Sequence, residues 1–274
     1  MSFLQAFILG IIQGLTEFIP VSSTAHLLIV ENLLGISPSD DKTFAFSVII
    51  QLGTVFAMLI FFWKDIWQIV EAFFLGIKHK KPFENLYGRL GWLIIVATIP
   101  ALIAGFLLKD VVQSMFKDPL IEAGARLLVT AVLLTAAEFL DRRERTLESA
   151  TWLDALSVGL FQVLAIFPGA SRSGSTITGG MVRGFDRPSA ARLAFLMSAP
   201  ILLAAGAYES IKAIEMPGTH AFLPLLITGF ITAAIVGWFS IKWLLAYISK
   251  HSLYVFAIYC AVVGAVVLIA NLLA

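Results

Sequence analysis

Residues 168–176 read Pro-Gly-Ala-Ser-Arg-Ser-Gly-Ser-Thr, and they interrupt a largely apolar stretch that runs from 152 to 182. Arg172, at the centre of this segment, is the only charged residue between Ala155 and Val182. A second apolar stretch, residues 3–35, is interrupted in the same way by Pro-Val-Ser-Ser-Thr at 20–24. Each interruption leaves two apolar pieces of about a dozen residues, a length more typical of re-entrant than of spanning helices. The two stretches therefore predict two re-entrant helix-loop-helix segments.

The composition of the whole chain is that of a membrane protein. Of its 274 residues 59% are hydrophobic and 14% are charged, and the mean hydropathy is +0.92. Soluble domains are typically about 45–50% apolar and about 25% charged, so the composition indicates an all-α integral membrane protein. A helix needs about 20 apolar residues to cross the hydrocarbon core. The six segments that fit are Phe44–Trp63, Leu90–Leu108, Ile121–Leu140, Leu193–Tyr208, Ala221–Leu245 and Leu253–Ala274.

The positions of lysine and arginine predict the orientation of these helices. If both interrupted stretches enter and leave on one side, the loops at 64–89, 141–150, 183–192 and 242–250 share one face. Those loops carry 13 of the 19 Lys and Arg residues, the opposite face carries 5, and Arg172 is the last. The positive-inside rule places the richer face in the cytoplasm and both termini outside. The first re-entrant segment then enters from outside and the second from inside.

The chain also contains a weak internal repeat. Gly10 and Gln13 recur 149 positions later as Gly159 and Gln162, and after one deletion the Pro-x-x-Ser of the first interruption recurs in the second. Each copy is followed by three predicted spans, an odd number, so the two halves have opposite orientation. Such inverted repeats place their site near the bilayer midplane, where interrupted helices meet. The halves are residues 1–140 and 151–274 of a single membrane domain, 1–274.

The first interruption is preceded by a carboxylate in an apolar setting. Gln13 and Glu17 lie four residues apart and share a helix face. Glu17 is the only charged side chain among residues 1–30. An intramembrane carboxylate is costly and normally faces a cavity or a partner. Its natural partner is Arg172, which the inverted repeat brings close; one alternative is a purely structural ion pair that joins the two halves.

Hydroxyl groups crowd both interruptions and favour an anionic ligand. Buried hydroxyls need hydrogen-bond partners, and an anion with several oxygens would satisfy many of them. Gly169 and Gly174 flank Arg172 just before an apolar helix, where backbone N–H groups and the helix N-terminus attract negative charge. The planar guanidinium of arginine suits phosphate. The candidate substrate-binding residues are Gln13, Ser22, Thr24, Gly169, Ser171, Ser173 and Thr176.

His26 follows the first cluster of hydroxyls and suggests a reaction centre. A lone histidine in apolar surroundings is usually a buried structural residue, but beside these hydroxyls it is favoured as a nucleophile or general base. Glu17, Ser23 and His26 fall within ten residues. A simple anion transporter needs donors but no nucleophile. A transporter or flippase of an anionic lipid is the alternative, since inverted repeats are common in transporters.

A divalent cation would fit this chemistry. Glu17 is the candidate metal ligand, with Gln13 as a neutral second ligand, because Mg²⁺ needs only one or two carboxylates besides phosphate and water. The single cysteine and four histidines form no zinc-like motif, and the chain lacks the nucleotide-binding G-x-x-x-x-G-K-[ST] loop. It also lacks a basic stripe for nucleic acid. A site inside the bilayer favours a substrate with a lipid tail.

These motifs resemble the undecaprenyl-diphosphate phosphatase family of the bacitracin-resistance type. The family's first motif, (E/Q)-x-x-x-E followed by P-V-S-S-T-x-H, stands here as Gln13 to Glu17 with Pro20 to His26. The second, P-G-x-S-R-S-x-x-T, stands as Pro168 to Thr176. The likeness runs over the whole length. Here the first motif begins with glutamine where many members have glutamate, which leaves one fewer carboxylate for a metal.

The resemblance implies an enzyme of the bacterial plasma membrane, with its site open to the outer side. It would remove the terminal phosphate from undecaprenyl diphosphate, with Mg²⁺ or Ca²⁺ assisting, and so recycle the lipid carrier of cell-wall synthesis and confer bacitracin resistance. Its partners would be the prenyl diphosphate substrate and membrane lipids, and a homodimer is compatible with the sequence. The catalytic residues implied are Glu17, Ser23, His26 and Arg172. The attacking group is left open between His26, Ser23 and water.

Overall fold

A computed structural model describes residues 1–38, 40–115, 118–140, 144–167, 170–215 and 219–273. Within these ranges all the regular secondary structure is helical, and the one β-type contact is an isolated bridge between Arg145 and Phe185. The predicted all-α fold is confirmed. The helices are α1 (Phe3–Thr16), α2 (Ser23–Leu33), α3 (Asp41–Phe61), α4 (Trp63–Lys78), α5 (Leu86–Met115), α6 (Pro119–Phe139), α7 (Trp152–Leu164), α8 (Arg172–Val182), α9 (Arg187–Glu215), α10 (Thr219–Ile248) and α11 (Tyr254–Leu273), with a 3₁₀ turn at Leu147–Ser149.

Six of the described helices are long and apolar enough to cross a membrane, as predicted. The apolar windows are Asp41–Phe61, Leu86–Leu108, Pro119–Phe139, Arg187–Tyr208, Phe222–Ile248 and Tyr254–Leu273. Each overlaps one predicted span, and the boundaries differ by a few residues. The last residue of the last predicted span, Ala274, lies outside the described residues. Many of the large apolar side chains on these helices are exposed, which suits a surface that faces lipid.

The region between the first two spans was wrongly predicted as a loop. Trp63, placed at the end of the first span, instead begins α4, a helix of 16 residues. The chain bends at Phe62, which closes α3 and precedes α4. Ile69 is the buried residue of α4, whereas Trp63 and Trp67 are exposed. The helix is amphipathic rather than continuously apolar, so a search for long apolar segments passes over it.

Both interrupted stretches fold as pairs of short helices. In the first, α1 ends at Thr16 and α2 begins at Ser23, so Glu17 lies in the connection. Ser22, at the end of that connection, has φ +69°, an unusual backbone conformation for a residue with a side chain. In the second pair, α7 ends at Leu164 and α8 begins at Arg172. The breaks are as expected, and the re-entrant placement of the pairs stays a prediction.

The first helix of each pair crosses a long helix through a glycine. A Cβ added to Gly10 on α1 would lie 2.9 Å from the backbone oxygen of Gly229 on α10. A Cβ added to Gly159 on α7 would lie 2.6 Å from the backbone oxygen of Ala97 on α5. These close approaches leave no room for a side chain at either position. They seat α1 and α7 against long helices and so position the interruptions that follow them.

Candidate active site

Glu17 is the centre of a cluster that joins the two interruptions. Arg172 Nη1 donates to Glu17 Oε1 at 3.1 Å, an ion pair between residues 155 positions apart. The other carboxylate oxygen, Oε2, accepts from Gln13 Nε2 at 2.9 Å and from Ser23 Oγ at 2.7 Å. The Glu17 side chain is only 7% exposed, whereas Arg172 is 32% exposed. The Arg172 guanidinium is therefore partly accessible, although it is paired with a buried carboxylate.

Gln51 on α3 contacts Arg172 and is a member of the cluster that the sequence analysis missed. With its amide oxygen turned to the guanidinium, Gln51 accepts from Arg172 Nη2 at 2.8 Å and from Nη1 at 3.2 Å. Arg172 is thus held by a carboxylate from one side and an amide from another. One signal could have found Gln51, since it is an isolated polar side chain between Ile50 and Leu52 in a predicted span.

The hydroxyls of the second interruption shape the start of α8. Ser171 is the N-cap, and its Oγ accepts from Gly174 N at 3.2 Å. Ser173 Oγ lies 3.3 Å from Ser171 Oγ and 3.5 Å from the Ile19 carbonyl oxygen. Thr176 Oγ1 donates to the Arg172 carbonyl at 2.8 Å. Because these hydroxyls are engaged in the protein, their first role is to hold the loop that presents Arg172.

Helix α6 supports the same loop from behind. Thr130 Oγ1 accepts from Ser171 N at 3.2 Å, and Arg126 Nη1 donates to the Ala170 carbonyl at 3.4 Å. Arg126 is also paired with Glu122 at 2.7 Å. Neither Arg126 nor Thr130 was among the predicted site residues. Gly169, which was, lies outside the described residues.

His26 is predicted as catalytic, and the structure gives it partners outside the Glu17 cluster. Its Nδ1 lies 2.9 Å from the Ser22 carbonyl oxygen, and its Nε2 lies 2.8 Å from the Tyr259 hydroxyl on α11. The rings of His26 and Tyr259 are stacked, with centroids 5.7 Å apart. A carbonyl can only accept, so Nδ1 carries a proton, and in the neutral imidazole Nε2 accepts from the Tyr259 hydroxyl. Ser22, which was predicted to bind substrate, contributes its backbone here and has a buried side chain.

Two neighbouring cavities meet at the cluster. The smaller has a volume of about 260 Å³ and the larger a volume of about 390 Å³. Gln51, Phe44 and Val48 on α3 line both cavities. The smaller cavity has a mixed lining, in which the polar side chains of Gln13, Ser23, Thr24, Glu31 and Ser47 alternate with apolar ones. The larger cavity has a mainly apolar lining that includes Arg172 and Gln162. Donors from both interruptions thus face open volume on the two sides of Gln51.

The side chains present fit a divalent cation only in a limited way. Glu17 supplies one carboxylate, and both of its oxygens already accept hydrogen bonds. Gln13 turns its amide nitrogen to that carboxylate, which leaves its oxygen as a neutral donor to a metal. Within the described part of the chain, no three His, Cys, Asp or Glu side chains are grouped as a metal site. This donor set fits Mg²⁺ or Ca²⁺ held mainly by phosphate oxygens and water.

Comparison with known proteins identifies relatives over almost the whole chain. Residues 6–266 match the family described as "Bacitracin resistance protein BacA". A protein of Chloroherpeton thalassium named undecaprenyl-diphosphatase is 41% identical over 271 residues, which cover 96% of this chain and 95% of the relative. A Myxococcus xanthus protein of the same name is 41% identical, covering 98% of this chain and 89% of the relative. A third, from Mycolicibacterium smegmatis, is 42% identical, with coverage of 98% and 96%.

The match includes both interrupted stretches and all six apolar helices. The residues that meet at Glu17 come from the segments that carried the sequence resemblance, namely 13–26 and 170–176. Identity above 40% over nearly the full length is far beyond what short apolar windows produce by chance. The chain belongs to the bacitracin resistance protein family, whose curated relatives are named undecaprenyl-diphosphatases.

Proposed function

We propose that this protein hydrolyses undecaprenyl diphosphate to undecaprenyl phosphate and inorganic phosphate, and so returns the lipid carrier to cell-wall synthesis. The observation that carries the proposal is the cluster of Glu17, Ser23 and Arg172 from the two interruptions, joined by Gln51 of α3. The Arg172 guanidinium, which lines the larger cavity, suits a diphosphate. The apolar helices around it suit a prenyl chain. Removal of free undecaprenyl diphosphate is also what a bacitracin-resistance protein would achieve.

Binding of the diphosphate by Arg172 would change the state of Glu17. In the cluster the carboxylate is neutralised by the guanidinium, at 3.1 Å. A diphosphate offers Arg172 a stronger bidentate partner. Once the guanidinium turns to phosphate, Glu17 retains Gln13 and Ser23 and gains the capacity to accept a proton. The substrate therefore prepares the base that acts on it.

Ser23 is the attacking group in this proposal, because its Oγ lies 2.7 Å from Glu17 Oε2. Oγ attacks the terminal phosphorus while its proton passes to Glu17. The bond from that phosphorus to the bridging oxygen breaks and releases undecaprenyl phosphate. Water then hydrolyses the phosphoserine, which frees inorganic phosphate and restores the hydroxyl. Arg172 stabilises the charge that develops on the phosphoryl oxygens.

A divalent cation, Mg²⁺ or Ca²⁺, belongs to the proposal as a second source of positive charge. Glu17 and the amide oxygen of Gln13 would hold it together with the diphosphate. When bound it would neutralise phosphate charge and so assist departure of the lipid phosphate. The residues of the chain retain the tasks of binding, orientation and proton transfer described above.

The location of the site follows from the proposed topology, an inverted repeat in the bacterial plasma membrane. Gly10 and Gly159, equivalent positions of the two halves, both mark close helix crossings, α1 on α10 and α7 on α5. These partners are themselves equivalent, since α5 and α10 are the second spans of their halves. The pairing supports a swap of helices between inverted halves. With the Lys- and Arg-rich loops in the cytoplasm, the site opens to the outer side.

The test is phosphate release from undecaprenyl diphosphate by the purified protein in detergent micelles, without any gradient. We expect release by the wild type, a loss of about 100-fold or more in Arg172→Ala, and normal activity in Arg192→Ala. Arg192 pairs with Asp65 away from the cluster and controls for removal of an arginine. Chelator should lower the rate, and Mg²⁺ or Ca²⁺ should restore it. Absence of release from the wild type would support the alternative, a transporter or flippase of an anionic lipid.

The attacking group is tested by rapid quench with substrate labelled in the terminal phosphate. Attack by Ser23 predicts an acid-stable label on the protein that disappears in Ser23→Ala and persists in Ser249→Ala, a change at an exposed serine. An acid-labile label that disappears when His26 is changed would identify His26, and not Ser23, as the attacking group. Turnover with no labelled protein at any time would favour direct attack by water.

A further inference from the structure

Helix α4 exposes two different faces along its whole length. One face, the apolar stripe, consists of large apolar side chains that are 45–64% exposed, namely Trp63, Trp67, Val70, Phe74 and Ile77. The neighbouring face, the polar stripe, is also exposed and consists of Lys64, Gln68, Glu71, Leu75 and Lys78. Within each set the residues are three or four positions apart. Because a helix turns once in about 3.6 residues, each set forms a continuous line along α4.

The third face of α4 packs against the start of α5. Ile69 is the buried residue of this face. A Cβ added to Gly88 would lie 3.2 Å from the Ala72 carbonyl oxygen, and one added to Gly91 would lie 2.9 Å from the Phe73 ring. These close contacts fix the rotation of α4 about its own axis. The apolar stripe and the polar stripe therefore keep their directions.

The two stripes determine how α4 lies relative to a membrane. The polar stripe begins in the first turn with Lys64 and ends in the last turn with Lys78. If α4 stood across the bilayer, part of this stripe would lie in hydrocarbon, where charged side chains are costly. With the helix axis parallel to the membrane surface, the apolar stripe meets hydrocarbon and the polar stripe meets water. Trp63 and Trp67, with ring centroids 5.9 Å apart, are of the residue type enriched at this interface.

Beside the apolar stripe lies a groove between α4, α5 and α9 with a volume of about 300 Å³. Every residue that lines the groove is apolar. Val70 and Phe74 belong both to the apolar stripe and to the groove, and Ile94, Ile95 and Leu203 form the walls on α5 and α9. Such a lining offers no hydrogen bond to a soluble ligand but suits an acyl chain. A lipid whose chain enters the groove has its head group next to α4.

Positive charge surrounds the same helix. Residues 63–81 contain four lysines and two acidic residues. Three of the lysines, Lys64, Lys78 and Lys80, are exposed at the two ends of α4. In the loops assigned to the cytoplasm, 13 lysines and arginines stand against 7 acidic residues. Lysines at a membrane surface attract the anionic phospholipids of the cytoplasmic leaflet.

We propose that α4 is a binding surface for anionic phospholipid in the cytoplasmic leaflet. Lipid phosphates contact Lys64, Lys78 and Lys80, and one acyl chain occupies the groove beside Val70 and Phe74. The proposal uses the topology inferred above and goes beyond the proposed reaction, on which it does not depend. Because α4 is packed on α5, bound lipid holds the cytoplasmic end of that spanning helix at the membrane surface.

Lipid binding to the full-length protein in a neutral detergent tests the role of charge. The protein is titrated with dioleoyl phosphatidylglycerol, which is anionic, or dioleoyl phosphatidylcholine, which is zwitterionic, and bound lipid is counted by native mass spectrometry. We expect the wild type to bind phosphatidylglycerol about tenfold more tightly, and Lys64→Gln with Lys78→Gln to lose most of this preference. Lys42→Gln with Lys250→Gln removes the same charge from two exposed positions outside α4 and should keep the preference. Equal binding of both lipids by the wild type, or an unchanged preference in the Lys64 and Lys78 variant, would overturn the proposal.

Spin labels on the two stripes test the orientation of α4 in vesicles that contain phosphatidylglycerol. The labels are attached to Phe74→Cys and Glu71→Cys, made one at a time in a Cys260→Ser background, and both positions are exposed. We expect the label on the apolar stripe to be relaxed by oxygen, which concentrates in hydrocarbon, and the label on the polar stripe by a water-soluble nickel complex. Relaxation of both labels by the same reagent would show that the membrane surface does not run along α4.

Discussion

The imidazole of His26 is held at both nitrogens, and this limits what it can do in the present arrangement. Nδ1 donates to the Ser22 carbonyl, and the lone pair of Nε2 is occupied by the Tyr259 hydroxyl. The strained backbone of Ser22, with φ +69°, aims that carbonyl at the ring. Tyr259 is thus a positioning residue for His26. Any proton transfer by the imidazole has to pass through this hydroxyl or follow its departure.

Tyr259→Phe removes the hydroxyl and keeps the stacked ring. We expect kcat to fall about two- to tenfold, the equivalent of a net hydrogen bond of roughly 0.5–1.5 kcal/mol, because His26 loses the contact that fixes Nε2. The pH profile of kcat should shift, since the hydroxyl stabilises one protonation state of the ring. Tyr254→Phe, on the same helix, is the control and should match the wild type. An unchanged kcat and pH profile would show that His26 needs only the Ser22 carbonyl.

The residues of the cluster differ in how far the sequence predicted them. The contact between Glu17 and Arg172 was predictable, because two isolated charges in apolar surroundings have to find a partner. Ser23 and Gln13 were predictable from their spacing to Glu17. The direction of the His26 ring was not, because it depends on Tyr259, which is 233 positions away. Gln51 joins the cluster only through the packing of α3.

At the scale of helices, the sequence predicted length better than amphipathic character. All six spans were found because a long apolar segment has few alternatives in a membrane protein. Helix α4 was missed because its apolar residues follow a helical period within a region rich in charge. The breaks at both interruptions were found because proline and hydroxyl residues end helices in a recognisable way. Which helices they contact could not be read from the chain.

Two glycines, Gly159 on α7 and Gly105 on α5, give a test of how these helices pack. An alanine Cβ at Gly159 would come within 2.6 Å of the Ala97 carbonyl oxygen, whereas one at Gly105 would have 3.9 Å to its nearest neighbour. We expect Gly159→Ala to lower the free energy of unfolding by about 1–3 kcal/mol, through overpacking of α7 on α5. Gly105→Ala should be neutral or stabilise by up to about 1 kcal/mol. Thermal unfolding in one detergent would measure both, and equal midpoints would contradict the close crossing of α7 and α5.

At the scale of the whole molecule, a buried carboxylate joins the connection between the two halves to both helices of the second pair. Asp154, at the start of α7, accepts from Arg145 at 2.6 Å and from Arg183 at 2.7 Å. Arg145 also donates to the Arg183 carbonyl at 2.9 Å and lies over the Phe185 ring. Burial alone would raise the pKa of the Asp154 carboxyl. Hydrogen bonds from Arg145, Thr151 and Arg183 outweigh burial and lower the pKa to about 2.

The ion pairs of Asp154 predict that the free energy of unfolding falls at acidic pH. Because the folded pKa of Asp154 lies below its ordinary value of 3.8, its contribution is complete above about pH 4 and is lost as the pH falls toward 2. Asp154→Asn should remove roughly 2 kcal/mol of stability at neutral pH. It should also make the unfolding midpoint less dependent on pH between pH 4 and pH 2. Glu144→Gln, at an exposed position next to Arg145, is the control. If Asp154→Asn lost stability in acid as steeply as the wild type, other carboxylates would be responsible for the acid dependence.

The distribution of positive charge makes the topology testable as a whole. Thirteen lysines and arginines fall in the loops assigned to the cytoplasm and five on the opposite side. Because both interrupted stretches are assigned as re-entrant, each has its two ends on one side, and the six apolar helices alone set the alternation. If the second stretch crossed the bilayer, every loop after it would change sides, and the same lysines and arginines would divide nine to nine. A crossing by the first stretch would leave the bias unchanged and move only the N-terminus to the other side.

Single cysteines in a Cys260→Ser background would read this arrangement in intact cells, with a thiol reagent that does not cross the membrane. We expect cysteines at Phe3 and Ser37, which flank the first pair of helices, to react from outside. Cysteines at Glu148 and Val182, which flank the second pair, should react only after the membrane is opened. All four positions are exposed, so the lack of reaction in intact cells reports the side rather than burial. If the cysteines at Glu148 and Val182 reacted from opposite sides, the second stretch would be a span. The chain that carries Arg172 would then cross the membrane and not return to the side from which it entered.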